Sequence, residues 1–95
     1  MTVYSSKGSA FEISDRLKND FRFVRAFATM RSEDKDRAVQ AAVELVSLVF
    51  GSQEEEQRFL REIAEGDGFV AVDRVYAEIG AMLRQAGETN ALKNS

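Results

Sequence analysis

The sequence predicts an all-α fold: a compact single domain of about four helices, with a short extended segment at residues 11–13. Apolar residues recur at intervals of three and four through four separate stretches, which is the period of a helix. The chain has no proline, so glycines and capping residues alone separate these stretches. Its 95 residues, 44% apolar and 31% charged, suit one globular domain. We expect a flexible N-terminus at residues 1–10, a helical domain at 11–87 and a polar C-terminal tail at 88–95.

The first helix is predicted to begin at Asp15 or Asp20 and to end at Met30. Ser14 and Asn19 are both suitable N-caps, because each side chain can accept a hydrogen bond from a free backbone N–H. The polar positions form one narrow stripe, namely Lys18, Arg22, Arg25 and Thr29. Apolar residues fill the rest of the circumference, which is more than the face of a surface helix requires.

The second helix is predicted to begin after Ser32 and to end at Phe50, with Gly51 as the left-handed stop. Ten of the thirteen residues from 38 to 50 are apolar, and the polar ones again form a thin stripe. The third helix follows Ser52 and Glu55, which are spaced as a capping box, and is predicted to stop at Gly66. Its apolar face is modest and consists of Phe59, Leu60, Ile63 and Ala64.

The fourth helix has the cleanest helical period in the chain and is predicted to end at Gly87. Its apolar positions are Val72, Val75, Tyr76, Ile79, Met82, Leu83 and Ala86. An Asp-Gly turn at residues 67 and 68 precedes it. We expect Phe59 to lie in the core and Phe69 to anchor this turn.

The first two helices carry more apolar surface than one small core easily covers. Either one helix is central and the others surround it, or the surplus faces another chain. Phe23 and Phe27 share a face of the first helix, whereas Phe21 lies about 160° away from Phe23. One aromatic side can therefore pack in the core while the other meets a partner helix. The candidate partner-binding residues are Phe21, Arg22, Phe23, Arg25, Phe27, Val46, Val49 and Phe50.

The composition argues against an enzyme. The chain has no cysteine and no histidine, which removes thiolate chemistry, the usual general base and the commonest metal ligand. Glu54, Glu55 and Glu56 suit a helix start, where carboxylates complement the dipole. An EF-hand alignment on Gly68 puts Ile63 and Arg74 where carboxylates are required. We expect no catalytic residue, no metal site and no cofactor.

Charge and hydropathy limit the partners. The formal charge is −3 and the pI is about 5.0, which does not favour nucleic acid. Residues 1–31 are nevertheless basic, with six Lys or Arg against three Asp or Glu. The most apolar run, residues 38–50, is shorter than the roughly 20 residues that cross a membrane. Residues 1–10 lack the features of a signal peptide, so we expect a cytoplasmic protein with no membrane partner.

An ordered set of short motifs resembles one known family over nearly the whole chain. The motifs are Phe11-Glu12-Ile13, Asn19-Asp20-Phe21, Val49-Phe50-Gly51, Glu54-Glu55-Glu56, Asp67-Gly68-Phe69-Val70 and Leu92-Lys93-Asn94-Ser95. In this order they resemble the short form of the tail assembly chaperones of siphophages and related prophages. Two residues depart from the family pattern: Phe21 stands where Trp or Tyr is expected, and Phe69 where a polar or basic residue is usual.

The resemblance implies a function. Such chaperones bind the long, aggregation-prone tape measure protein in the host cytoplasm, help recruit tail tube subunits, and are absent from the mature virion. In this family a fraction of ribosomes slips near the end of the short gene, and Leu92, Lys93 and Asn94 are compatible with the slippery codon run A-AAA-AAC. We also expect self-association. Two alternatives remain open: a small DNA-binding regulator that uses the basic first helix, and a homo-oligomeric helical scaffold.

Overall fold

The structure is a computed structural model that describes residues 1–94, with side-chain surroundings described through Gly87. A β-hairpin precedes four helices in chain order. The elements are β1 (Thr2–Tyr4), β2 (Ala10–Glu12), a 3-10 turn (Leu17–Asn19), α1 (Phe21–Thr29), α2 (Lys35–Phe50), α3 (Gln53–Ile63) and α4 (Val72–Asn94). The predicted helical single domain is confirmed, with a small two-stranded sheet added to it. None of the helices in the described part of the chain is long and apolar enough to cross a membrane.

The hairpin corrects the prediction of a flexible N-terminus at residues 1–10. β1 and β2 pair antiparallel, with Val3 opposite Phe11, and both of these side chains are only 1% exposed. Each strand buries only its central residue, so the sequence pattern is too short to reveal a strand. The extended piece that was predicted at residues 11–13 overlaps β2.

Two glutamates hold the hairpin turn against the helices. Glu78 of α4 accepts hydrogen bonds from the backbone N–H of Ser6 at 3.1 Å and from its hydroxyl. Glu62 of α3 accepts a hydrogen bond from the Ser9 hydroxyl. Because the Glu78 residue is 5% exposed, these partners satisfy a carboxylate that would otherwise be costly to bury.

Aspartates cap the first two helices. Asp20 accepts from the Arg22 N–H at 2.9 Å and begins α1, so neither predicted cap, Ser14 or Asn19, has this role. The Asp20 carboxylate also forms a salt bridge with the Arg22 guanidinium at 2.6 Å. Neither the Asn19 amide nor the Ser14 hydroxyl carries the negative charge that a salt bridge requires. Asp34 caps α2, two residues later than the sequence suggests. The stop at Gly51 is confirmed, with φ at 71°.

The third helix begins as predicted and ends early. The Ser52 hydroxyl accepts from the Glu55 N–H at 3.2 Å, whereas the Glu55 carboxylate pairs with Arg58 at 2.7 Å. α3 ends at Ile63, three residues before the predicted stop, because a tight turn follows. In that turn the Gly68 N–H donates to the Glu65 carbonyl at 2.8 Å.

Two predictions near α4 are wrong. Phe69 does not anchor the turn by burial, because it is 58% exposed. Gly87 does not end α4, which continues to Asn94. Glycine stops a helix when it adopts a positive φ, and Gly87 is not among the glycines that do so. The predicted polar tail at residues 88–95 is therefore helical through Asn94, and Ser95 lies outside the described residues.

The core lies where the hairpin meets α2 and α3. Three phenylalanine rings form its centre: Phe11 and Phe50 are 5.4 Å apart, Phe11 and Phe59 are 5.8 Å apart, and Phe50 and Phe59 are 4.7 Å apart. Phe59 is fully buried, as predicted. The Arg58 guanidinium covers the Phe11 ring at 4.0 Å from its centroid. α4 adds Ile79, Met82 and Ala86 to the same core.

Candidate functional site

Part of the apolar surplus of the first two helices remains on the surface. The exposed large apolar residues of α1 and α2 are Phe21, Val24, Phe27, Val39 and Val43. Those elsewhere among the described residues are Tyr4, Phe69, Val72 and Tyr76. Phe21 is 71% exposed, Val43 62% and Val72 61%, so most of the surface of each of these residues faces solvent. Of the two destinations that the sequence left open, burial in the domain therefore accounts for only some of the surplus.

Four of the exposed residues line one groove between α2 and the start of α4, which we call the α2–α4 groove. Its volume is about 320 Å³. The exposed lining residues are Val39 and Val43 from α2 and Val72 and Tyr76 from α4. The remaining lining residues are Ala42, Val46, Glu56, Leu60, Val70 and Val75. The surface is aliphatic almost throughout, which suits apolar side chains from a partner.

A smaller pocket of about 170 Å³ extends this surface toward α1. It shares Ala42, Val46 and Tyr76 with the groove and adds Phe27 and Met30 at the end of α1. The apolar surface is therefore continuous from the last turn of α1 to the first turns of α4.

The period of α4 explains why the groove exists. Its apolar stripe runs from Val72 to Ala86. Ile79, Met82 and Ala86 are buried in the core and Val75 packs against it, whereas Val72 and Tyr76 are exposed. Val72 and Tyr76 lie on the same stripe nearer the start of the helix. The neighbouring turns of α2 contribute valines of their own, and no other described side chain fills the space between them. The apolar stripe of α4 therefore extends beyond the core, and its exposed part forms one side of the groove.

One charged side chain lines the groove. Glu56, at the start of α3, is half-buried, and its carboxylate accepts a hydrogen bond from the Ser47 hydroxyl at 3.3 Å. A single carboxylate beside an apolar floor favours a ligand that brings a positive charge next to its apolar groups.

The outward face of α1, formed by Phe21, Val24 and Ala28, is the second exposed apolar surface. The Arg25 guanidinium lies 5.9 Å from the Phe21 ring centroid. Arg22 donates hydrogen bonds to Asp20, which lower the pKa of that carboxyl below its usual range and raise the pKa of the guanidinium. Arg25 is therefore the more available of the two arginines.

The structure divides the predicted partner-binding residues into two groups. Phe21, Arg22, Arg25 and Phe27 are exposed on α1. The other four are buried in the folded domain, and their role in partner binding stays a prediction: Phe23, Val46, Val49 and Phe50. Phe23 packs toward α2, and Val49 and Phe50 face the core because α2 buries its last turns against the hairpin and α3. Val46 alone retains a link to the surface, at the floor of the groove.

The codon candidates Leu92, Lys93 and Asn94 lie in the last turns of α4, beyond the described side chains. Their expected role is that of their codons, as a slippery run in the gene, and does not depend on the protein structure.

The main residues that sequence reasoning missed are Val39, Val43, Val72 and Tyr76. Val39 and Val43 are four residues apart, so the sequence places them on the same face of α2. It does not show whether another element covers that face. Val72 and Tyr76 belong to an apolar stripe that continues into the core, so the helical period alone does not show that they are exposed.

No group of three or more acidic residues that could hold a metal ion occurs among residues 1–87, whose side chains the structure describes. Comparison of the chain with protein-family models, curated proteins and solved structures found no match.

Proposed function

We propose that this protein binds an amphipathic helix of another protein in the α2–α4 groove, and that it acts as a tail assembly chaperone for a tape measure protein. The observation that carries the proposal is the exposed aliphatic groove, with Val39, Val43 and Val72 open to solvent. The partner's identity comes from the family resemblance. In this proposal the protein is a binding protein of the host cytoplasm, without catalytic activity, that also helps recruit tail tube subunits.

A helix is the form of partner that such a groove accommodates best. Its side chains at positions i, i+3, i+4 and i+7 form an apolar stripe that can fill a groove between two helices. A long, coiled-coil-rich protein presents many such stripes before it assembles. Covering them would keep the protein from aggregating.

The magnitude of the contact suits a chaperone that later leaves. Completing the burial of Val39, Val43, Val72 and Tyr76 contributes about 1 kcal/mol each, or about 4 kcal/mol in total. Association also costs translational and rotational freedom, so one groove and one helix should bind weakly. An affinity in the micromolar to millimolar range corresponds to about 4–8 kcal/mol. Several chaperone copies along one long chain would then hold it by avidity and still be released.

The test is co-expression with the tape measure protein of the same gene cluster. The wild-type protein should raise the soluble yield of that protein and co-purify with it. Val43→Asp places a charge on the groove floor and should abolish both effects. Val24→Asp is the matched control, because it makes the same change on an exposed face of α1 outside the groove.

The result that contradicts the proposal is equally specific. If the tape measure protein gains no solubility, or if Val43→Asp and wild type behave alike while Val24→Asp loses binding, the groove is not the chaperone site. Thermal unfolding by circular dichroism establishes that both variants are folded before the comparison is made.

The gene offers an independent test of the family assignment. The codons for Leu92, Lys93 and Asn94 should read as A-AAA-AAC, followed by an overlapping frame. Interrupting third-position bases would remove this part of the proposal. A tape measure gene immediately downstream would support the rest.

A further inference from the structure

We infer that the smaller pocket between α1, α2 and α4 receives one leucine or phenylalanine side chain of the partner helix, and that charges at the two ends of the apolar surface set the direction of that helix. We call this pocket the anchor pocket. The inference rests on the proposed role of the α2–α4 groove as a helix acceptor. It adds the register and the orientation of the ligand.

Gly80 forms part of the α4 wall of the anchor pocket. It lies in the interior of a helix, where glycine is less favourable than alanine. The backbone does not require a glycine there, because Gly80 is not among the glycines with a positive φ. An added Cβ would meet only the guanidinium end of Arg84 at 3.7 Å, which is an ordinary contact distance. The fold therefore gives no reason for the missing side chain, whereas a ligand that enters the pocket does.

The space beside Gly80 has the size and character of one large apolar side chain. The volume of the anchor pocket is about 170 Å³, and its lining includes Phe27, Leu45, Ile79 and Leu83. A cavity of roughly 150 Å³ with a similar lining admits a benzene ring. Because the anchor pocket is continuous with the groove, a helix that lies in the groove can insert a leucine or phenylalanine into it.

α4 sets the length of the bound segment. The combined surface of the groove and the anchor pocket extends along α4 from Val72 to Leu83. These residues are eleven positions apart in the sequence, which is about 16.5 Å at 1.5 Å per residue. A partner helix alongside α4 needs about three turns to cover this length. Its positions i, i+4, i+7 and i+11 fall on one face and can contact the surface together.

The two ends of this surface carry opposite charges. Glu56 lines the groove, near the start of α4. At the other end, the Arg31 guanidinium lies 5.1 Å from the ring centroid of Phe27, and Arg84 lies beside Gly80. Within residues 1–87, none of these three charged side chains forms a salt bridge. A complementary ligand has a basic residue at one end and an acidic residue at the other.

The helix dipole determines the direction of the ligand. Acidic residues stabilise the N-terminal end of a helix and basic residues its C-terminal end. The basic end of the partner helix faces Glu56, near the N-terminus of α4, so the partner runs antiparallel to α4. The ligand then has an acidic residue at position i, leucine or phenylalanine at i+4 in the anchor pocket, an apolar residue at i+7 in the groove, and lysine or arginine at i+11.

Two alanine-rich synthetic peptides of about 16 residues test the orientation. The first has glutamate at i, phenylalanine at i+4, leucine at i+7 and lysine at i+11, and the second exchanges the glutamate and the lysine. Amide shifts of the protein, followed by NMR during titration, give the dissociation constant and the site. Circular dichroism of the free peptides corrects for their different helicities. The first peptide should bind about tenfold more tightly, because two attractive charge pairs replace two repulsive ones.

Charge removal on the protein is the control for this preference. Glu56→Gln and Arg84→Gln in one chain should reduce it to about threefold, since Arg31 remains. The amides that shift on binding should include those of Gly80 and Leu83.

A graded replacement of Gly80 tests the anchor pocket. Gly80→Leu fills the pocket and should weaken binding of the first peptide more than about tenfold. Gly80→Ala is the matched control, because one methyl group leaves most of the volume free, and its affinity should stay within about twofold of wild type. A peptide with alanine at i+4 should bind both variants equally, since it has no side chain for the pocket. Circular dichroism verifies that both variants are folded.

Four results would overturn the inference: neither peptide binds, both bind equally, Gly80→Leu binds as wild type does, or the shifted amides lie away from the anchor pocket. The outcome is separable from the proposed function. If Val43→Asp loses the tape measure protein while Gly80→Leu retains it, only the inference about the anchor pocket fails. If the first peptide binds as expected but the tape measure protein gains no solubility, only the chaperone function fails.

Discussion

Replacing Phe59 by alanine should remove a large part of the stability of the domain, about 3–5 kcal/mol, whereas the same replacement at Phe21 should have little effect. Phe59 is fully buried and contacts two other rings, at 5.8 Å from Phe11 and 4.7 Å from Phe50. Phe21 is 71% exposed on α1. The two substitutions delete the same atoms, so the difference between them measures the surroundings alone.

The magnitude follows from burial and ring contacts. Truncating a buried phenylalanine costs about 3–5 kcal/mol, through lost transfer free energy and the cavity left behind. A 95-residue domain has a total stability of about 5–14 kcal/mol, so Phe59→Ala can remove half of it or more. Phe21→Ala should stay within about 0.5 kcal/mol, because alanine's higher helix propensity offsets the weak contact with Arg25.

The assay is urea unfolding followed by far-ultraviolet circular dichroism, with the free energy of unfolding obtained by linear extrapolation. Phe59→Leu provides a milder variant in case Phe59→Ala does not fold, and it should lose about 1–2 kcal/mol. Equal losses at positions 59 and 21, or a larger loss at 21, would refute the placement of Phe21 on the surface and Phe59 in the core.

Three further changes test the backbone and the hairpin. Gly51→Ala should cost about 1 kcal/mol because Gly51 has a φ of 71°, whereas Gly66→Ala should be near neutral; equal free energies of unfolding would contradict this. Gly87→Ala should raise stability by up to about 1 kcal/mol, because Gly87 lies inside α4 and only the flexible end of Lys18 must move; destabilisation would place the helix end at this glycine. Burial raises the pKa of Glu78, but hydrogen bonds from Ser6 and the charge of Arg74 outweigh it and hold the pKa below its usual 4.5. Since the folded pKa is the lower one, this carboxylate stabilises the domain above about pH 4.5 and ceases to as pH falls through the folded pKa. Glu78→Gln should therefore destabilise fully at pH 7 and progressively less as pH falls through the folded pKa; a loss independent of pH would contradict it.

The helices could be predicted because their signals are local. Ser52 caps α3 through the N–H of Glu55, and Gly51 ends α2 with a positive φ, and each of these contacts involves near neighbours in the chain. The hairpin could not be predicted, because each of its strands is three residues long and buries only one side chain, Val3 or Phe11. The burial of these two residues depends on helices that are distant in the sequence. The predicted end of α4 at Gly87 was wrong because glycine permits a left-handed helix stop but does not require one.

The candidate site could be predicted only in outline. The surplus of apolar residues on the first two helices left open whether it would be buried in the domain or exposed, and the structure shows some of each. Periodicity places Val43 and Val49 on an apolar helix, but it cannot tell which of them a distant element covers. That depends on where α3 and α4 lie, so Val49 proved buried and Val43 open to solvent.

Hydrogen bonds between the hairpin and side chains of α4 connect the two ends of the described chain. The Ser6–Glu78 bond spans 72 residues, and the side chain of Gln85 makes a pair of hydrogen bonds with the backbone of Tyr4, 81 residues away. Contacts this remote form late, since the intervening chain must first be gathered. During synthesis the hairpin turn therefore waits for the Glu78 and Gln85 side chains of α4, although Phe11 can already pack against Phe50 of α2 and Phe59 of α3. We expect the amides of β1 and β2 to gain protection from hydrogen exchange after those of α2, and to be less protected in a chain cut before Glu78.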